Sequence, residues 1–152
     1  MDSREVKYRD KDPSIRFSSP TLFYDNYCKI CYTYAKIISL LSRGRISVRG
    51  MYTEDSEWIR RIVGPSEYIL MPWFYSPRNR KIYGGRSMIL PLLREMIIGL
   101  FKRGNNVFAD LKPENCSAVL PCSGLKGFVY RTLTILLKSK TIDLKRENYP
   151  TT

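Results

Sequence analysis

An α/β protein, built on a mixed central sheet of about four strands flanked by helices, is expected from three features of this chain. Between residues 21 and 63, short β-rich runs alternate with helical periodicity, the pattern of parallel βαβ units. Between residues 68 and 83, two strand-like runs flank the turn Ser76-Pro77-Arg78-Asn79, which makes an antiparallel hairpin. From Met88 onward apolar residues recur at steps of three and four, so helices close the chain. The organisation that follows is a flexible charged arm at 1–19, the sheet domain at 20–103, and a loop and helix at 104–152 packed on that same domain.

Thr21-Leu22-Phe23-Tyr24 is unbroken in hydrophobicity and predicts a central first strand. A helix follows, with Tyr34, Ile37, Ile38 and Leu41 as its buried stripe, and Gly44 supplies the turn that ends it. Arg45 to Tyr52 alternates Ile46 and Val48 with polar residues, as a second strand does. Glu54, Asp55 and Glu57 place negative charge on the first turn of a second helix, whose apolar face is Trp58, Ile59, Ile62 and Val63; Gly64-Pro65 stops it. Tyr68 to Tyr75 is a third strand interrupted by Pro72, and Arg80 to Tyr83 a fourth. Ser87 is the expected N-cap of a helix carrying Met88, Ile89, Leu92, Leu93, Met96, Ile97 and Leu100, with Pro91 tolerated in its first turn. Residues 104–124 are broken up by Gly, Asn and Pro. A last amphipathic helix spans about Leu125 to Leu137, with Phe128, Val129, Leu133, Leu136 and Leu137 as its apolar face and Lys138-Ser139-Lys140 as a basic tail. The order β-α-β-α-β-β-α with a helical extension is the thioredoxin-like arrangement.

Composition narrows the chemistry. Hydrophobic residues make up 43% and charged residues 26% of 152, which is globular. With no histidine, Ser-His-Asp and Cys-His nucleophiles and His-ligated zinc are excluded, leaving carboxylates, Lys, Tyr or Cys for proton transfer. A net charge of +12 draws acidic partners such as nucleic acid or an anionic surface without naming one. No secretory signal and no transmembrane segment is predicted: Met88 to Phe101, the longest apolar stretch, is short and broken by Pro91, Arg94 and Glu95. A cytoplasmic protein is therefore expected, in which cysteines serve catalysis or metal binding more often than structure.

Cys28 and Cys31 form a Cys-x-x-Cys directly after a strand and the turn Asp25-Asn26, where a helix begins. In a redox dithiol one sulfur attacks as a thiolate and the other resolves the mixed disulfide. At a helix start, the free amides and the dipole lower the pKa of the first cysteine, and Lys29 adds a cation in the same direction. Cys28 is thus the expected solvent-facing nucleophile and Cys31 the resolving thiol inside the first turn. The same spacing also serves as half of a zinc site or as inert core thiols. Pro72 allows two readings: a cis-proline opening the strand that faces the dithiol, with Met71 beside it at the substrate groove, or an ordinary trans-proline at an edge or bulge.

Asp25-Asn26-Tyr27-Cys28-Lys29-Ile30-Cys31 resembles the Asp-x-x-Cys-x-x-Cys signature of the DCC family of thiol–disulfide oxidoreductases. Arg80-Lys81-Ile82-Tyr83-Gly84-Gly85 and the Leu/Ile-rich helix after it are similar to that family too, so the likeness spans roughly Thr21 to Ile98. The resemblance implies a thioredoxin-like fold and dithiol–disulfide exchange with a protein or small-molecule partner, with no organic cofactor or metal. It maps the family's aspartate onto Asp25, as proton acceptor for Cys31 or as helix cap. Asn26 stands where the family usually has Gly; Asn tolerates the left-handed backbone such a turn can require.

Cys116 and Cys122 fit zinc spacing poorly and are read as a disulfide-capable second pair; unrelated thiols, a relay to Cys28–Cys31, or zinc shared by all four cysteines are the other readings. Arg78, Arg80, Lys81 and Arg86 lie near Trp73, Phe74, Tyr75 and Tyr83, a mixture that either stacks single-stranded nucleic acid or is strand core beside a solvated face. The function expected first is a thiol–disulfide oxidoreductase. The alternatives are a basic binding or assembly subunit on the same fold and a zinc-stabilised structural domain.

Overall fold

The computed structural model describes residues 17–53, 56–64, 71–106 and 124–144. Five strands form one mixed sheet in the order β2-β1-β3-β4-β5: β1 (Thr21–Tyr24), β2 (Ser47–Gly50), β3 (Trp73–Ser76), β4 (Lys81–Gly85) and β5 (Ser139–Asp143). Helices α1 (Lys29–Leu41), α2 (Glu57–Val63), α3 (Ile89–Phe101) and α4 (Gly124–Leu137) cover it. β1 pairs parallel with β2, Leu22 beside Val48, while every other pairing is antiparallel. The β-α-β-α-β-β-α connectivity is therefore thioredoxin-like, with β5 added at the edge beside β4.

The apolar runs explain the layering. β1 and β3 are buried along their whole length, as central strands covered on both faces must be. On one face Phe23, Met51, Ile59, Met71, Trp73 and Ile82 pack under α2. Phe17, assigned to the charged arm by composition, also belongs to this cluster and meets the rings of Phe23 and Trp58. On the other face Leu22, Ile46, Phe74, Met88 and Leu92 pack with Ile38 of α1, Met96 of α3 and Ile135 of α4.

Several expectations are corrected. Residues 139–143 continue the sheet as β5, so the supposed basic tail is a fifth strand; its one inward apolar residue, Ile142, is too weak a signal beside a helix. Ser87 does not cap α3. It lies in a 3-10 turn (Arg86–Met88), and its hydroxyl donates to the carbonyls of Gly84 and Lys140, tying β4 to β5. The stripes of three helices are also rotated. α1 buries Tyr32, Ala35 and Ser39 while Ile37 and Leu41 are exposed; α3 buries Leu92, Glu95 and Gly99 while Leu93, Ile97 and Leu100 are exposed. α4 buries Gly127 and Arg131 and exposes Phe128, Val129, Leu133, Leu136 and Leu137. Small side chains let α1 and α3 approach closely: a Cβ on Gly99 would collide with the carbonyl of Ser42. Just past α1, the partly buried Arg45 pairs at 2.7 Å with Glu95 of α3, which is buried.

Candidate functional site

The end of β1 leads into the site through a turn that its side chains hold. Asp25 is buried, and its Oδ1 accepts the N–H of Tyr27 at 3.0 Å. The Cys28 N–H donates to the Asp25 carbonyl at 3.1 Å, closing the turn. Asn26 is not left-handed, since Arg43 and Arg80 are the non-Gly positive-φ residues among those described. Instead its side-chain oxygen accepts the N–H of Tyr52 at 2.9 Å, binding the turn to the end of β2. Gly50 makes room for it, because a Cβ there would fall 2.9 Å from the Asn26 side chain. The residue in place of glycine is thus used for its amide rather than for its backbone freedom.

Cys28 is the N-cap of α1. Its backbone is extended, and its sulfur accepts the N–H of Cys31 at 3.4 Å, the role a Ser or Asp oxygen plays at other helix starts. A thiolate is favoured on Cys28, whose pKa is lowered to about 6, first by hydrogen bonding from the Cys31 thiol, against the opposing effect of burial, with the Cys31 amide and the Arg131 charge assisting. Cys31 is pushed in the other direction, by its bond to Cys28, by burial and by the Cys28 charge. Both cysteines are free thiols.

Exposure differs from the expectation. Cys28 is fully buried and Cys31 is the half-exposed member. The N-cap position turns the first sulfur toward the amide of Cys31 at the helix end, within reach of the Arg131 charge, rather than out to solvent. The nearby cation also differs. Lys29 is exposed and has no part in the Cys28 shift, whereas Arg131 does. Arg131 reaches in from α4, and its Nη2 donates to Asp25 Oδ2 at 3.1 Å, with both side chains over nine-tenths buried. Asp25 therefore braces the turn and anchors a guanidinium, and the helix cap is Cys28 itself. The legible sign of Arg131 was a lone charge within Gly127-Phe128-Val129-Tyr130-Arg131-Thr132-Leu133, an otherwise uncharged helical run.

Pro72 precedes β3, and the β1–β3 register, continued by one pair, sets it beside Tyr24 at the dithiol end of the sheet. Every peptide bond among the described residues is trans, Met71–Pro72 included, so the cis reading is set aside. At the first position before a strand, a proline forfeits no ladder bond, which removes the objection to a central strand. Met71 does not border a groove; it is buried in the α2-side cluster. Trp73, Phe74 and Tyr75 are core, so they offer no stacking platform. Cys116 and Cys122 lie outside the described residues, and among those described no group of three or more Cys, Asp or Glu is placed to hold a metal. Comparisons with protein-family models, curated proteins and solved structures find no match.

Proposed function

We propose that this protein is a thiol–disulfide oxidoreductase working through Cys28 and Cys31 on a thioredoxin-like scaffold. The observation that carries the reading is the cap geometry: Cys28 Sγ closes the head of α1 by accepting the N–H of Cys31 at 3.4 Å, in surroundings that lower its pKa to about 6. Near neutral pH such a sulfur is a thiolate. It attacks one sulfur of a substrate disulfide, forming a mixed disulfide on Cys28 and releasing the other substrate sulfur as a thiolate. That leaving group takes up a proton as the Cys31 thiol gives one up. Cys31 then attacks Cys28 Sγ, the substrate's second thiolate departs, and two electrons have passed from the dithiol to the substrate. The same steps reversed oxidise a dithiol partner. Because Cys28 is buried, local opening around the head of α1 admits the substrate. The likeness of Asp25–Cys31 to the DCC signature supports this reading, with a protein or small-molecule disulfide or dithiol as partner.

Equilibration in glutathione buffers of graded potential, with the cysteines mapped by mass spectrometry, tests it. A Cys28–Cys31 disulfide forms and reopens reversibly, Cys28→Ser abolishes disulfide reduction, and Cys31→Ser accumulates a mixed disulfide on Cys28. If the pair resists oxidation, or Cys28 titrates at the ordinary thiol value of 9.0, the reading fails.

A further inference from the structure

Among the described residues, every exposed large hydrophobic side chain except Tyr27 lies on α1, α3 or α4. Leu40, Leu90, Phe101, Leu125 and Leu137 are each more than two thirds exposed. The three helices form one layer: α1 touches α3, and it reaches α4 through the Tyr34–Thr132 hydroxyl bond and the Tyr34–Phe128 ring contact. This apolar face is the outward consequence of the rotated stripes. Burying Ala35, Ser39, Gly99, Gly127 and Arg131 leaves the bulky residues outside. The opposite layer differs, since α2 buries Ile59 and Val63 and shows solvent a Glu57–Arg61 ion pair.

The charge on the same layer has one sign. Lys36, Arg43, Arg94, Lys102, Lys126 and Lys138 are exposed on these helices or at their ends, and the single acidic residue of the three helices, Glu95, is buried and paired with Arg45. Exposed apolar side chains among unpaired-sign cations suit a surface that is anionic outside and hydrocarbon within. A second copy of this chain would oppose like charges across the contact, and nucleic acid offers no burial for Leu and Ile. We propose that the outer face of α1, α3 and α4 docks peripherally on an anionic lipid bilayer. No described helix is long and apolar enough to cross a membrane, so the contact is interfacial. The inference is independent of the dithiol chemistry.

Flotation of the full chain with vesicles of phosphatidylglycerol and phosphatidylcholine, against phosphatidylcholine alone, tests the proposal. Partition onto the anionic vesicles is expected to be roughly tenfold stronger or more, and to weaken as salt rises. A Leu90→Ser/Phe101→Ser variant, uncharged so that lost binding reports lost apolar contact, binds more weakly, as does Lys126→Gln/Lys138→Gln. Circular dichroism and urea denaturation establish that both variants stay folded. Equal partition onto neutral vesicles, none onto anionic ones, or anionic binding indifferent to Leu90→Ser/Phe101→Ser would overturn the proposal. So would self-association or RNA binding through this face in a chain that ignores vesicles.

Discussion

The thiol of Cys31 is the strongest influence drawing the Cys28 pKa down, and it overcomes the burial that pushes the other way. That ordering makes the resolving cysteine part of the activation of the first. Cys31→Ser keeps a donor in place and Cys31→Ala removes it, so the alanine variant should raise the pH midpoint of Cys28 alkylation further than serine does. Stopped-flow alkylation across pH, followed on the Cys28 peptide, reads the difference; equal midpoints would assign the shift to the backbone amide alone. Small reagents should outpace bulky ones at Cys28, since its sulfur is covered. Arg131 acts through charge and through Asp25 together. Arg131→Met strips away a cation that lowers the Cys28 pKa and leaves an anion that raises it, so the midpoint moves up. It also strands a buried carboxylate, with an expected loss of about 3–5 kcal/mol in urea denaturation. Adding Asp25→Asn to Arg131→Met should recover part of both effects, which a purely steric role for Arg131 would not permit.

At the level of strands and helices, what could be read from the residues depended on how many of them carried each signal. β1 was legible in full because Leu22, Phe23 and Tyr24 follow a β-favouring Thr21 directly before a turn, and the hairpin was legible because Pro77 and Asn79 mark its bend. The strand-turn-CxxC-helix order likewise located the dithiol. Helix rotation was not legible. Periodicity places a stripe on the bulky residues, whereas α1, α3 and α4 turn their small or paired residues inward: Ala35 and Ser39, Gly99 and Glu95, Gly127 and Arg131. Each choice is made by a partner distant in the chain, such as Asp25 for Arg131 or Arg45 for Glu95, and no local window contains both members. The exposure of the two sulfurs failed for a related reason, because α4 covers the turn from more than a hundred residues away, with 106 positions separating Arg131 from Asp25. Gly99 offers a direct measure of the close approach. Gly99→Ala would put a methyl group against the Ser42 carbonyl and force α1 and α3 apart, at an expected cost of about 1–3 kcal/mol in chemical denaturation. A helix-propensity gain alone would have made the same change stabilising, so the sign decides which effect governs.

For the molecule as a whole, the two thiols make stability and reduction potential depend on pH. The folded Cys28 pKa of about 6 lies below the ordinary thiol value of 9.0. Between those values the unfolded reduced chain holds a proton that the folded chain has released, so unfolding free energy rises with pH. The contribution is complete above pH 9.0 and is lost as pH falls through about 6. Cys31, shifted upward, works in reverse, and only above the ordinary thiol range, where the unfolded chain loses a proton that the fold retains. Across the interval the reduced form should gain on the order of a few kcal/mol relative to the oxidised form, which has neither thiol. The reduction potential carries the same information without any unfolding. Below the Cys28 pKa two protons accompany two electrons, and above it one does; each proton contributes about 30 mV per pH unit. The slope should therefore fall from about 60 to about 30 mV per pH unit, with its break near the Cys28 value. Potentials measured against glutathione in a background with Cys116 and Cys122 replaced by Ser confine the signal to this pair. A straight line at the steeper slope through pH 8 would mean that Cys28 keeps its proton, and the sulfur at the head of α1 would not be the attacking group.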